Sequence, residues 1–278
     1  MNSLQSPAQS ARQGAAASRF PRVVRVLLPV LVLALGIAAW GLVVRVNNIP
    51  PYVLPGPSAV FQTLVQDWPV LSLSLLTTLR TTLEGFIAAA VGGIALALLF
   101  NQSKWLEYSL FPYAVILQVT PVIAIAPLLL IYLPQQTAVI VCAWIVGFFP
   151  VLSNTTLGLN SVDRNLAGLF QLYGASRLQT LRYLKLPAAL PFILGGLRIA
   201  GGLSLIGAVV AEIAVGSAGA GSGLAYRIAE SGYHLNISRM FAALLLLSAA
   251  GIVIYGLLAL LSHLILRRWH ESALGKEN

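Results

Sequence analysis

The chain has 278 residues, of which 58% are hydrophobic and 9% charged, with a formal net charge of +9 and a single cysteine. Soluble domains carry about 25% charged residues, so a water-soluble fold is excluded and a bilayer must solvate much of the chain. Lone Cys142 rules out a disulfide framework or a cysteine-based metal site within the chain. The basic residues flank apolar runs instead of gathering with aromatics on a soluble face, which argues against nucleic-acid binding.

A polar, basic tail spans residues 1–23 and carries Arg12, Arg19 and Arg22. The apolar run from Val26 to Val44 is longer than the roughly 7–15 residues of a signal-peptide core. It predicts a retained first span over 24–45. Pro50, Pro51, Pro55 and Pro57 then force an extended, turning path through segment 46–75. Ser58 is expected to cap a short helix there, with Val60, Phe61, Leu64 and Val65 on one side.

Five more apolar segments lie near 76–100, 107–132, 136–158, 189–215 and 240–266. The reading is therefore an all-α membrane protein with six transmembrane helices, a core over 76–266 and a tail over 267–278. Pro121 and Pro127 are expected to kink the third span without breaking it, since neighbouring helices can satisfy freed backbone groups. The fifth span is rich in small residues, including Gly195, Gly196, Gly201, Gly202 and Gly207, which lets helices approach closely. With the N-terminus in the cytoplasm, twelve of the seventeen Lys and Arg fall on the inner side. That asymmetry places both termini inside and segment 46–75 outside.

Residues 159–188 form the longest inner connection, too polar to span and too patterned to be disordered. Leu166, Leu169, Phe170 and Tyr173 recur at helical spacing, and Gly174 follows where a C-terminal cap glycine would stand. Ser176, after Ala175, can cap a second helix carrying Leu178, Leu181 and Leu184, which Leu186-Pro187 is expected to end. Two physical readings stay open at this point. The element rests on lipid headgroups, or it docks into a groove on a soluble partner.

Arg80, Glu84, Arg198 and Glu212 lie in or beside spans, where ionisable groups are costly and turn to protein or water. Arg80 and Glu84 stand at i, i+4 and can pair. They serve either as neutralised pairs between spans or as parts of a solute path. Gly219-Ala220-Gly221-Ser222-Gly223 lacks the preceding strand and the lysine of a phosphate loop, and reads as flexible or re-entrant backbone at the outer mouth. His234, His263 and His270 are too far apart for a metal site. Neither a nucleophile elbow nor a close carboxylate pair is present, so no catalytic residue is assigned.

Loop 159–188 resembles the cytoplasmic loop of binding-protein-dependent ABC importer permeases. That family carries Glu-Ala-Ala, three residues, Gly, nine residues, then Ile-x-Leu-Pro. Here Gly174 and Leu184-Lys185-Leu186-Pro187 keep the spacing, while Gly168-Leu169-Phe170 stand at the Glu-Ala-Ala positions. The resemblance runs over roughly residues 50–230 and is nearest to permeases for nitrate, sulfonate and taurine. It is also carried by Leu54-Pro55-Gly56-Pro57-Ser58, by Thr78-Leu79-Arg80, by Pro121, Ala124, Pro127 and Leu128, by Gly196-Leu197-Arg198 and by Val210-Ala211-Glu212. The family's Trp-Phe-Gly is replaced by Ile131-Tyr132-Leu133-Pro134.

The resemblance implies a type I ABC importer architecture in a bacterial inner membrane. It implies two permease copies, a separate ATP-binding subunit holding ATP-Mg, and a periplasmic binding protein that delivers solute. It makes Leu166, Gly168, Leu169, Phe170, Tyr173, Gly174, Ala175, Ser176, Leu186 and Pro187 the ATPase-coupling loop. The solute would be a sulfonate-, taurine- or nitrate-like anion, or a heterocyclic vitamin precursor. An ion-coupled secondary transporter is the alternative; it would need coupling groups near the membrane midplane.

Overall fold

The computed structural model describes residues 22–216 and 221–267, and all regular structure among them is helical. The chain divides into two units, residues 1–59 and 60–278. In the first unit, α1 (Arg22–Val46) is long and apolar enough to cross a membrane, and Leu27 through Leu35 expose their large side chains on every side. A helix hydrophobic all round needs lipid or protein all round. Gly41 lies beside the Pro57 ring, so the turn after α1 folds back on it.

Helix α2 (Pro57–Gln66) begins two residues earlier than a cap at Ser58 implies. Pro57 takes the first helical position, where its missing N–H costs nothing. Ser58 therefore lies inside the first turn and is not the cap. The expected apolar side also divides: Val60 is buried, but Phe61 and Val65 are exposed.

The second unit is organised around α3 (Trp68–Gln102), α6 (Gln135–Leu159) and α9 (Leu186–Val215). Helix α6 is central and packs most extensively on α9 and α3. Small residues set these spacings. A Cβ on Gly207 would stand 2.9 Å from the Cys142 carbonyl oxygen, and one on Gly93 would stand 2.9 Å from Val151 Cβ. Side chains longer than hydrogen at these points would push the helices apart. Cys142 is buried there beside Ala143, Ala208 and Ala211. Helix α11 (Ile237–Leu266) crosses behind α9, with Leu258 and Ile254 over Gly201.

The third expected span is not one kinked helix. It is α4 (Lys104–Val119) followed by α5 (Val122–Tyr132), bent by 100° at the intervening break. Pro127 sits within α5, and the break falls at Pro121. Among the described residues five helices are long and apolar enough to span, or six if the bent pair counts as one.

Successive long helices of the second unit alternate in direction and leave two distinct ends. One end carries the turn from α3 to α4 and the connection from α6 to α9. The other carries the start of α3, the end of α9, a short helix α10 (Leu224–Tyr233) and the start of α11.

Candidate coupling loop and intramembrane charges

The connection after α6 folds into two short helices, α7 (Arg164–Leu172) and α8 (Arg177–Thr180). Asp163 starts α7, its carboxylate accepting the N–H groups of Asn165 at 2.6 Å and Leu166 at 3.3 Å. Gly174 stops it with φ +67°, a left-handed conformation that glycine adopts without strain. The Ala175 N–H donates to the Phe170 carbonyl at 2.9 Å, and the Gly174 N–H to that of Gln171 at 3.0 Å. This crossed pair is the Schellman closure of a helix. Ser176 and Gln179 then form a reciprocal capping box that opens α8.

The expected stop at Pro187 is not found. A π-helical turn, Leu181–Lys185, joins α8 directly to α9. There the Leu186 N–H reaches five residues back to the Leu181 carbonyl. Pro187 stands in the first turn of α9, where no N–H donor is required of it. Loop and span are thus one helical path with a widened turn, as such bulges allow.

Residues in α7 and its cap present an exposed apolar stripe, but Phe170, expected on it, is half-buried and Leu172 stands there instead. Leu166 and Leu169 are about half exposed, while Leu172 and Tyr173 are 86% and 84% exposed. Nothing lies within 4 Å of the position a Cβ on Gly168 would take. Leu181 tucks under the bundle with Leu186 and Ala189, so the second half of the connection is anchored while the first stands free.

The four intramembrane charges have separate fates. Arg80 Nε donates to Glu84 Oε1 at 2.8 Å on one face of α3, the arginine side chain 68% exposed. Leu73, Leu76, Ile87 and Val91 share that exposed face. Arg198 forms no ion pair among the described residues; its guanidinium lies 5.8 Å from the Tyr255 ring centroid, and its buried Nε has no hydrogen-bond acceptor.

Glu212, only 6% exposed, is instead built into the opposite end. Thr78 Oγ1 donates to its carboxylate at 2.8 Å, and the Ala225 N–H donates at 3.1 Å. Thr78 in turn accepts the Leu224 N–H at 2.8 Å. The carboxylate therefore caps α10 from another helix, where the positive end of the helix dipole favours it. Gly223 presses directly against that carboxylate, and a side chain there would collide with it. Residues 217–220, including the first two of the glycine-rich stretch, lie outside the described residues.

A family model described as "Binding-protein-dependent transport system inner membrane component" matches residues 89–267. The chain belongs to this family. A probable ABC transporter permease of Haemophilus influenzae is 33% identical to this permease over 84% of its length and 94% of the relative. A riboflavin transport system permease of Chloroflexus aurantiacus is 33% identical over 88% of this chain and 90% of the relative. A crystal structure of an amino acid ABC transporter with histidines matches the fold at TM-score 0.61 and 20% identity, covering 75% of this chain and 98% of that one. The permease is thus a multi-pass inner membrane protein and a transport subunit of a non-catalytic family.

Sequence reading had missed much of what positions these residues in the permease. Asp163 and Gln179 carried a local signal, because each stands at cap spacing from its helix. Thr78 carries no such signal, because its bond to Glu212 joins residues 134 apart. Asp67 and Arg239, paired at 2.6 Å, and Ser74 and Arg227, bonded at 3.2 Å, were not paired by any pattern.

Proposed function

We propose that this chain is the channel-forming subunit of an ATP-driven importer, with the α7–α8 element as its docking point for a separate ATP-binding subunit. The observation that carries the reading is the exposed apolar stripe on firmly capped α7. Water does not stabilise such a stripe, and a groove on a soluble partner does. The direct helical connection from α8 through the π turn into α9 supports a mechanical role for the contact. Both termini lie in the cytoplasm in this reading, so the loop meets the ATPase there and α10 lies toward the periplasm.

Two copies of the permease would enclose the path, and a periplasmic binding protein would deliver the solute. ATP-Mg would be held and hydrolysed by the partner subunit. The exposed Arg80–Glu84 pair supports a protein- or water-facing side for α3, because lipid contact there would be costly. Arg198, cationic and without a carboxylate, is a candidate contact for an anionic solute such as a sulfonate or nitrate. Glu212 holds α10 in place and is not assigned to the path. A heterocyclic vitamin precursor remains within the solute class.

The test is co-purification with the cognate ATP-binding subunit, together with uptake in vesicles. Stable association that is lost on replacing residues 166–173, with uptake that needs ATP, is the expected result. Uptake that survives ATP depletion and collapses with an ion gradient would move the chain to the secondary transporters. Arg80→Ala should lower uptake while membrane insertion persists; unchanged uptake would remove Arg80 from the path.

A further inference from the structure

At the loop end of the second unit a cleft of about 610 Å³ opens between the α3–α4 turn and the α7–α8 element. Its lining brings Lys104, Arg177 and Lys185 together from three separate segments, with no carboxylate among the lining residues. Lys104 is matched by Glu107 at 2.5 Å. Lys185 Nζ has only a neutral acceptor, Asn101 Oδ1 at 3.1 Å, and Arg177 has no ion pair among the described residues. The cleft thus holds two uncompensated cations. The N-terminus of α4, a helix of 16 residues, adds its positive dipole end to the same wall, although Ser103 already accepts the Leu106 N–H with its hydroxyl and the Glu107 N–H with its carbonyl. Gln102, Ser103 and Gln171 complete a rim of neutral polar groups.

Two exposed aromatics fix the level of this cleft. Trp105, next to Lys104, is 75% exposed, and Tyr108 one turn on is 77% exposed. Such side chains gather where hydrocarbon meets headgroups. A cation cluster at that level, with Lys104 and Arg177 exposed at the mouth, Lys185 half-buried behind them and several donors on the rim, suits an anion with more than two acceptor oxygens. We propose that the cleft binds the phosphate of an anionic lipid headgroup drawn from the bilayer. The occupant shares its chemistry with free phosphate, but the aromatic level points to lipid. The assignment requires only that this end of the helices meets a membrane surface, so it stands or falls separately from ATP coupling.

Native mass spectrometry of the purified full chain tests it, with phosphatidylglycerol, phosphatidylcholine and inorganic phosphate as probes. Retention of phosphatidylglycerol over phosphatidylcholine is expected. Arg177→Gln and Lys185→Gln should each weaken that retention by about fivefold, and Lys185→Arg should restore it. Arg164→Gln with Arg182→Gln removes two charges outside the cleft, more than either single variant, and should leave retention unchanged. Equal loss in that outside pair would show diffuse surface attraction and overturn the site. Binding of inorganic phosphate without preference between the two lipids overturns the lipid assignment. Intact lipid retention in Arg177→Gln/Lys185→Gln, with loss of the ATP-binding subunit, overturns it in favour of a protein carboxylate.

Discussion

The two ends of the second unit are built on opposite plans. At the α10 end, charges are matched inside the chain: Arg239 with Asp67, Arg227 with Glu230, and Glu212 with Thr78 and a helix terminus. At the loop end Arg164 and Arg177 have no carboxylate among the described residues, and Leu172 and Tyr173 stand in the open. Burial of a charge demands a partner, so the first end settles its charges within the chain, even though Tyr233 and Leu235 stand exposed there. Exposed apolar side chains on a capped helix ask for a partner that the chain does not supply. One end reads as a closure and the other as a socket.

The largest expected effect breaks the closure. Glu212→Ala orphans the buried Ala225 N–H and removes the acceptor of Thr78, at about 1–3 kcal/mol for each buried group left unpaired. Thermal unfolding in detergent should show a clear loss of stability; melting at the wild-type temperature would mean that the clasp is dispensable. Gly174→Ala comes next. A non-glycine residue in the left-handed region costs about 1–2 kcal/mol, and here the strain falls on the hinge of the loop. Limited proteolysis should cut the α7–α8 connection faster, with the bundle still intact.

The comparison sharpens with Leu169→Ser combined with Leu172→Ser. Exposed substitutions of this kind stay within about 0.5 kcal/mol, so unfolding should be unaltered while co-purification with the ATP-binding subunit falls. A matching loss of stability would make the stripe part of the fold and sink the socket reading. The smallest effect is expected for Gly168→Glu, which restores the acidic residue of the family pattern. The site is open, and helix propensity favours Glu over Gly by less than about 1 kcal/mol. No gain in ATPase coupling should follow, because the contact is formed by shape and apolar surface; a clear gain would argue for charge pairing.

What could be read from the sequence was local. Gly174 and Ser176 announce their roles through neighbours within five residues, and the structure places both where the pattern puts them. The apolar runs likewise announce helices that cross a bilayer. The missed features depend on distant partners or on a choice between equivalent residues. Pro112, Pro127, Pro150 and Pro191 all lie inside helices, yet Pro121 marks a sharp break. Nothing in the residue type distinguishes them. Glu212 shows the same limit from the other side. Its carboxylate is visible as an intramembrane charge, but the helix that it caps begins twelve residues later and is held by Thr78 from α3.

The break between α4 and α5 has a consequence for how this region responds to substitution. Pro121 has no N–H to offer, so the Leu117 carbonyl loses its helical donor, and the sharp turn leaves neighbouring peptide groups at a corner. Apart from the Thr120 hydroxyl, which donates to the Ile116 carbonyl at 2.7 Å, the polarity at that corner belongs to the main chain. Substitution at 117–119 leaves that main-chain part untouched, and at Thr120 it removes one donor. Only Pro121→Ala returns a donor to the backbone and lets the corner straighten.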